Sequence, residues 1–231
     1  MIPPALSAAF VAAMENLLAV YGRPPDPRRP LVCFDEGGKE LVDHVVPPWP
    51  AAPGRAARED AAYLRGGAAN LFLACAPHLG WRGVRVTARR TAVDFARAIR
   101  ELLDGPFADV DGIVLVTDNL NTHTPAAFYQ AFPAPEARRL LERIEWHYTP
   151  THGSWLNMAE LELSALARQC LARRIPDRDA LAREVAAWVE TRNHEQVRID
   201  WRFGIDDARL KLAHCYPVPE HDTSAVSMHS A

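Results

Sequence analysis

The sequence predicts an α/β fold with a mixed central β-sheet flanked by helices. Residues 31–34 and 113–116 are wholly apolar runs, which is typical of strands covered on both faces. Between and after these runs, the patterns alternate as strands, helix, strand, helices, strand and helices. This order is typical of helices layered on a sheet.

The first third of the chain contains one helix and the first strand. Apolar residues at helical spacing predict a helix over 5–21, which Gly22 and the prolines after it end. The strand at 31–34 ends in Asp35. Residues 47–67 include four prolines and predict a long irregular connection, which in a compact domain is usually functional.

The remaining elements follow from local signals. Residues 70–76 and 84–87 have strand character. Thr91 and Asp94 resemble a capping box that starts a helix, and Gly105 ends that helix. The later predicted elements are a strand at 113–116, helical pieces at 124–131 and 136–143, a strand at 144–148, a long helix capped by Ser154 and running to Arg173, and helices at 177–191 and 206–212.

Composition limits the class of protein. With 231 residues, 48% hydrophobic and 24% charged, the chain can fold around its own core without disulfides or a structural metal. The net charge of -3 and pI near 6.3 are unusual for a nucleic-acid-binding module. We find no signal peptide or membrane-spanning run and expect a cytoplasmic protein with reduced thiols. The cysteines, which lack a paired spacing, are Cys33, Cys75, Cys170 and Cys215.

Two predicted strands end at an aspartate. Asp35 follows the first apolar run and Asp118 closely follows the second. Either residue alone could be a turn or cap residue. If the strands are neighbours, the two carboxylates repel, and a shared proton, an arginine or a cation must offset the repulsion. A site made of oxygen ligands favours Mg²⁺ or Mn²⁺.

Several segments carry a family resemblance. Residues 116–125 (VTDNLNTHTP) and 145–162 (EWHYTPTHGSWLNMAELE) resemble the mariner-like DDE transposases of bacterial insertion sequences, specifically the insertion-sequence six-thirty group. The first acid, in VCFDEGGKEL at 32–41, fits the same pattern. The resemblance covers about residues 3–217, and also includes the segments at 89–104, 168–177 and 201–217.

The resemblance implies a ribonuclease-H-like fold and an activity. Asp35, Asp118 and Glu160 would be the catalytic triad, holding two Mg²⁺ or Mn²⁺ ions for DNA strand cleavage and strand transfer. The residues alone leave Glu160 and Glu162 open as the third acid, because the two point to opposite flanks of a helix. The motif selects Glu160, and Glu162 becomes a solvated or salt-bridged neighbour. We read Glu36, on the opposite side of the strand from Asp35, as structural.

The implied partner is double-stranded DNA, comprising the inverted-repeat ends of a transposon and a TA target. A homodimer on DNA is expected, in the bacterial cytoplasm at the nucleoid and away from membranes. Around the triad, Asn119, Asn121 and His123 either shape a turn or orient water, metal or DNA. The residues His152 and Asn157 precede Glu160 and are further candidates. Three arginines in the proline-rich segment either lie in a solvated loop or match the clamp loop of mariner-like enzymes, which touches DNA or a partner subunit: Arg55, Arg58 and Arg65.

The expected organisation is an N-terminal helix and linker at 1–29, the catalytic domain at 30–217 and a disordered tail at 218–231. Nothing resembles the helix-turn-helix region that full-length relatives carry upstream, which would explain the low positive charge. An alternative is therefore a truncated, inactive remnant that only binds DNA or a partner subunit. A second alternative is another nuclease of the ribonuclease-H-like group.

Overall fold

A computed structural model describes residues 7–217 and contains one five-stranded mixed sheet in the order β3-β2-β1-β4-β5. The strands are β1 (Leu31–His44), β2 (Tyr63–Ala76), β3 (Trp81–Thr87), β4 (Ile113–Thr117) and β5 (Ile144–Tyr148). β1 pairs antiparallel with β2, and β2 with β3, whereas β1–β4 and β4–β5 are parallel pairs. The predicted mixed sheet is confirmed.

Helices cover both faces of this sheet. The α-helices are α1 (Ala8–Tyr21), α2 (Ala92–Asp104), α3 (Ala126–Ala131), α4 (Ala134–Leu141), α5 (Met158–Gln169), α6 (Arg178–His194) and α7 (Ile205–Lys211). Thr91 and Asp94 form the predicted capping box at the start of α2. No helix in residues 7–217 has the length and apolar character needed to cross a membrane.

The alternation of side chains along β1 divides the core into two clusters. Cys33 points to the cluster that α1, α5 and α6 cover, and Val32 and Phe34 point to the cluster under α2, α3 and α4. Because side chains alternate in a strand, Asp35 lies on the α5 face and Glu36 on the α2 face. The site described below therefore draws on both faces of the sheet.

Most of the irregular connection predicted over 47–67 is irregular in the structure, but it lies at the end of a long β-hairpin arm whose second strand, β2, already begins at Tyr63. β1 continues to His44 and β2 begins at Tyr63, so only residues 45–62 lie outside strands. The arm comprises residues 40–68, which are these loop residues and the paired ends of β1 and β2 beyond Lys39. The segment with the four prolines is irregular, as predicted, but the strand ends on either side of it were not predicted, because local polarity hides their pairing. The arm is supported at its base: the Lys39 ammonium donates to two carbonyls after α5, and Arg174 donates to the carbonyls of Asp60 and Ala62.

The start and end of α5 also differ from the prediction. Ser154 begins a single 3₁₀ turn, Ser154–Leu156, and Asn157 is the residue that caps α5, accepting a hydrogen bond from the amide of Ala159 at 3.1 Å. The helix ends at Gln169 rather than Arg173. Asn is as good a cap as Ser, so local sequence does not distinguish the two starts.

Glu162 of α5 was expected to be solvated or salt-bridged. It is salt-bridged and is not solvated. Its side chain is 2% exposed and contacts Arg82 of β3 and Arg192 of α6, with the Arg192 Nη2 to Glu162 Oε1 distance at 2.9 Å. Arg82 also donates to the backbone carbonyl of Arg192, in the last turn of α6, and to that of Val197 after the helix. This buried ion cluster joins α5 to both neighbours and fixes the rotation of α5 about its axis.

All four cysteines are free thiols, as expected. The first residues of the predicted N-terminal helix and the tail at 218–231 lie outside the described residues.

Candidate active site

The parallel pairing of β1 with β4 brings Asp35 and Asp118 to the same end of neighbouring strands. Cys33 is the register partner of Val116, and each aspartate lies two residues beyond its member of that pair. Adjacent strands are about 4.8 Å apart, so the two residues are neighbours at this edge. The two apolar runs thus lie on neighbouring strands, the arrangement that the residues alone had left open and the family resemblance implied.

Helix α5 brings Glu160 to the same edge. Asn157, which caps α5, donates from Nδ2 to the Phe34 carbonyl at 2.9 Å and to Asp35 Oδ2 at 3.1 Å. One side chain therefore fixes the N-terminus of α5 on β1. Glu160 lies in the first turn of α5, where the helix dipole favours a negative charge.

Asp35 is a buried carboxyl that faces other acids. Burial raises its pKa, the backbone N–H of Glu36 opposes this by hydrogen bonding at 2.7 Å, and the charges of Glu160 and Asp118 raise it further, to about 7. Both acids act on this carboxyl through their charge, as expected for groups at the same edge of the sheet. The hydrogen-bond donors to Asp35 are neutral, so its charge has no ionic partner among them.

Asp118 contacts His123, which in turn contacts Glu36. The Nδ1 atom of His123 lies 2.5 Å from Asp118 Oδ1, and its Nε2 atom lies 2.7 Å from Glu36 Oε1. Ionised carboxylates only accept hydrogen bonds, so an imidazole between two of them donates from both nitrogens and carries a positive charge. Burial alone would lower the pKa of His123, but the hydrogen bonds to the two acids raise it to about 9.

The His123 ring is held on all sides. Its side chain is 0% exposed, and it stacks on Phe95 of α2 with ring centroids 4.4 Å apart and planes 30° apart. Its backbone carbonyl accepts a hydrogen bond from the Tyr148 hydroxyl at 3.1 Å. His123 is thus a buried part of the site that contacts Asp118 directly.

Three acids, all oxygen donors, therefore surround one edge of the sheet, a donor set that suits a hard divalent cation. Within residues 7–217, no three His, Cys, Asp or Glu side chains are already arranged closely enough to hold a metal ion. Asp118 is turned toward His123 and is 25% exposed, so its carboxylate lies at the rim of the site.

The other candidates near the triad are more exposed. Asn119 and Asn121 lie on the surface of the turn after β4. His152 is exposed in the turn before α5 and adopts φ of +62°, a left-handed conformation that is uncommon for residues other than glycine. Of the predicted surrounding residues, the structure brings His123 and Asn157 to the acids by direct contact.

The three candidate arginines lie on the arm. Arg55 stacks over the ring of the exposed Trp49, with 5.5 Å from guanidinium carbon to ring centroid, and Arg58 pairs with Trp49 through the backbone. Arg65 lies over the Tyr63 ring at 6.0 Å. From Asp35 to the end of β1 at His44, an extended strand covers about 30 Å, so these arginines are not part of the acidic cluster.

Glu36 is the functional candidate that sequence analysis undervalued. It points to the face opposite Asp35, as predicted, but its side chain is 4% exposed and reaches the site through His123. The sequence offered two signals for this role: Glu36 directly follows Asp35, and His123 lies five residues after Asp118. Only the sheet register shows that the two meet.

Comparison with known proteins agrees with this geometry. Residues 30–182, more than half of the chain, match the family described as DDE superfamily endonuclease. No curated protein matches the sequence. Among solved structures, the chain is similar to the Mos1 strand transfer complex, with a TM-score of 0.56 and 16% identity over 90% of this chain and 59% of that one.

Two further structures have the same fold. The Mos1 mariner paired end complex with Mn has a TM-score of 0.56 and 13% identity, covering 91% of this chain and 63% of that one. The paired end complex with Mg has a TM-score of 0.54 and 15% identity, covering 93% and 65%. This chain thus spans less than two thirds of the transposase chains that it matches, and the predicted ribonuclease-H-like fold is confirmed. With its two acid-bearing parallel strands and a family match over residues 30–182, the chain belongs to the DDE superfamily endonucleases.

Proposed function

We propose that this chain is the catalytic domain of a metal-dependent DNA transposase, and that Asp35, Asp118 and Glu160 hold two Mg²⁺ or Mn²⁺ ions. The observation that carries the proposal is the convergence of these three acids from β1, β4 and α5 on one edge of the sheet. The influence of Asp118 and Glu160 on the pKa of Asp35 supports their proximity. Family membership supports the reaction class.

The residues fit divalent cations. Asp35 is a buried acid among like charges, and its hydrogen-bond donors are neutral. A cation would compensate that charge and return the pKa of Asp35 to its ordinary range.

Two divalent cations bound there would supply an activated water and stabilise the leaving 3′ oxygen during attack on a phosphodiester. The chain itself supplies the rigid frame for this reaction. β1 and β4 fix two carboxylates on paired backbones, and Asn157 holds the helix that carries the third against β1. The freed 3′-OH would then attack target DNA at the same site, without a covalent enzyme–DNA intermediate.

The proposed partner is double-stranded DNA: the inverted-repeat ends of an insertion sequence and a TA target. We assign contact with DNA or a second subunit to the arm, through Arg55, Arg58 and Arg65. An exposed tryptophan with an arginine over its ring is a feature of interaction surfaces. The exposed residues Asn119, Asn121 and His152 would contact water or DNA near the acids.

A homodimer on DNA, acting at the bacterial nucleoid in the cytoplasm, completes the proposal. The names of the similar solved structures include a strand transfer complex and paired end complexes of Mos1, and such assemblies are the basis for the expected partner.

Nicking of a supercoiled plasmid tests the function. The wild-type chain with Mg²⁺ or Mn²⁺ is expected to convert supercoiled to open circular DNA, and Asp118→Asn is expected to abolish this while keeping the same far-UV circular dichroism spectrum. Wild-type DNA binding without nicking would favour the inactive remnant. Cleavage without preference for inverted-repeat ends would favour another nuclease, and full activity of Asp118→Asn would refute the assignment of the acids.

A further inference from the structure

Glu36 and His123 form a chain of contacts that ends on Asp118. The His123 side chain bridges the two carboxylates, at 2.7 Å to Glu36 and 2.5 Å to Asp118. The side chains of Glu36 and His123 are 4% and 0% exposed. Burial of an acid is favourable only with specific partners, and Glu36 has the His123 ring and the Arg90 guanidinium, whose Nη1 lies 3.6 Å from Oε2.

The packing around this chain of contacts leaves His123 one orientation. Phe95 stacks on the ring face and Phe34 contacts the ring edge-on, with centroids 5.8 Å apart. The Thr117 hydroxyl lies 3.1 Å from Nδ1, on the same side as Asp118. The ring plane is therefore set by the core, and the direction of its Nδ1–H is set with it.

Because the orientation of the His123 ring is set by packing, the ring restrains the Asp118 carboxylate that it contacts. His123 contacts Oδ1 of Asp118 and leaves the second oxygen, Oδ2, for another partner. Asp118 follows the last residue of β4 and is 25% exposed, so its own backbone and burial constrain its side chain less than those of Asp35. The contact with His123 supplies that missing constraint.

We propose that Glu36 and His123 are positioning residues for Asp118: Glu36 holds the His123 ring, and His123 orients the Asp118 carboxylate so that Oδ2 faces the divalent cations. This inference rests on the proposed function. Groups that orient a metal ligand through a hydrogen bond change metal affinity, and their loss typically weakens binding about 10- to 100-fold. A purely structural role for the buried pair would instead change only the stability of the fold.

The test compares Glu36→Gln with a matched control. Glu36→Gln keeps the shape and removes the charge that holds His123. Glu145→Gln is the control, because Glu145 contacts His147 at 2.8 Å on β5, away from the acids. The Kd for Mn²⁺ of the full chain without DNA is measured by electron paramagnetic resonance, together with the thermal unfolding midpoint of each variant.

The proposal predicts that Glu36→Gln raises the Mn²⁺ Kd at least tenfold, whereas Glu145→Gln leaves it within twofold of wild type. In plasmid nicking, the Mn²⁺ concentration for half-maximal rate should rise in parallel, with the rate at saturating Mn²⁺ retained. An unchanged Kd in a folded Glu36→Gln chain would overturn the proposal. If that variant does not fold, Glu36→Asp, which keeps the charge but shortens its reach, undergoes the same test with the same two outcomes.

The same titration separates this inference from the proposed function. If wild type binds Mn²⁺ and Asp118→Asn does not, the metal site is established, and the Glu36→Gln result then decides the role of Glu36 and His123. If wild type itself binds no Mn²⁺, the proposed function fails, and the positioning role fails with it.

Discussion

Asn157 donates a hydrogen bond from Nδ2 to Asp35 Oδ2 at 3.1 Å, and so joins the cap of α5 to the first acid of the site. The same amide nitrogen lies 2.9 Å from the buried carbonyl of Phe34, while its oxygen caps the helix at Ala159. One side chain thus satisfies a helix end, a strand carbonyl and an acid. The position of Glu160 relative to Asp35 depends on it.

Replacing Asn157 with Ala should cost more stability than the loss of an ordinary cap. Losing a cap costs about 1 kcal/mol, and leaving the Phe34 carbonyl unpaired adds about 1–3 kcal/mol. The control is Ser7→Ala, which removes only the cap of α1. Urea unfolding should show a loss of about 2–4 kcal/mol for Asn157→Ala and about 1 kcal/mol for Ser7→Ala. Equal losses would contradict the bridging role.

The raised pKa of Asp35 predicts a pH dependence of stability in the metal-free protein. Its pKa is about 7 in the folded chain against an ordinary 3.8, so between these pH values the folded chain retains a proton that the unfolded chain has released. The free energy of unfolding therefore falls as pH rises from about 4 to about 7, by up to about 1.4 kcal/mol per pH unit for one proton. Above pH 7, Asp35 adds no further change.

Asp35→Asn removes this contribution. In urea unfolding with a chelator, the variant should gain stability relative to wild type as the pH is raised from 5 to about 7. A constant difference between the two proteins over this range would show that Asp35 has an ordinary pKa. Asp111→Asn serves as the control, because Asp111 is a surface acid whose pKa is lowered by Arg28.

The buried cluster of Glu162 with Arg82 and Arg192 predicts a large loss of stability on substitution. Glu162→Gln leaves the buried guanidinium of Arg82 and the partly buried one of Arg192 without their carboxylate, and removing one partner of a buried pair costs about 3–5 kcal/mol. Glu101→Gln, which breaks the exposed pair with Arg85, should change stability by about 0.5 kcal/mol or less. Comparable effects of the two variants in urea unfolding would argue against the cluster as an anchor of α5.

If the arm contacts DNA, its arginines should govern the salt dependence of binding. Replacing both Arg55 and Arg58 with Gln should weaken binding to a linear duplex, and should reduce the slope of log affinity against log salt by about 2, roughly one per phosphate contact. Arg202→Gln removes a surface arginine elsewhere and is the control. Unchanged DNA affinity and salt dependence in the arm variant would indicate that the arm contacts a protein partner and not DNA.

Much of the scaffold could be predicted from the sequence because the signals are local. The apolar runs of β1 and β4, the capping box of α2 and the cap at Asp177 before α6 are each written in a few consecutive residues. The adjacency of Asp35 and Asp118 followed from the resemblance, since strand order is not encoded locally.

The missed features depend on contacts between distant residues. The strand ends of the arm were not predicted, because they pair only with each other and with the chain after α5. Glu36 was assigned a structural role because nothing near it in sequence shows that it meets His123, 87 positions later. Glu162 gave no local sign of burial, since the two arginines that neutralise it come from β3 and α6.

The location of bound Mn²⁺ tests the central claim most directly. A crystal of the chain soaked in Mn²⁺ should show anomalous difference peaks between Asp35, Asp118 and Glu160 at the carboxyl ends of β1 and β4. The same soak of Asp118→Asn crystals should lose at least one of these peaks. Peaks confined to other parts of the surface, or none at saturating Mn²⁺, would contradict the assignment of these three acids as the metal site.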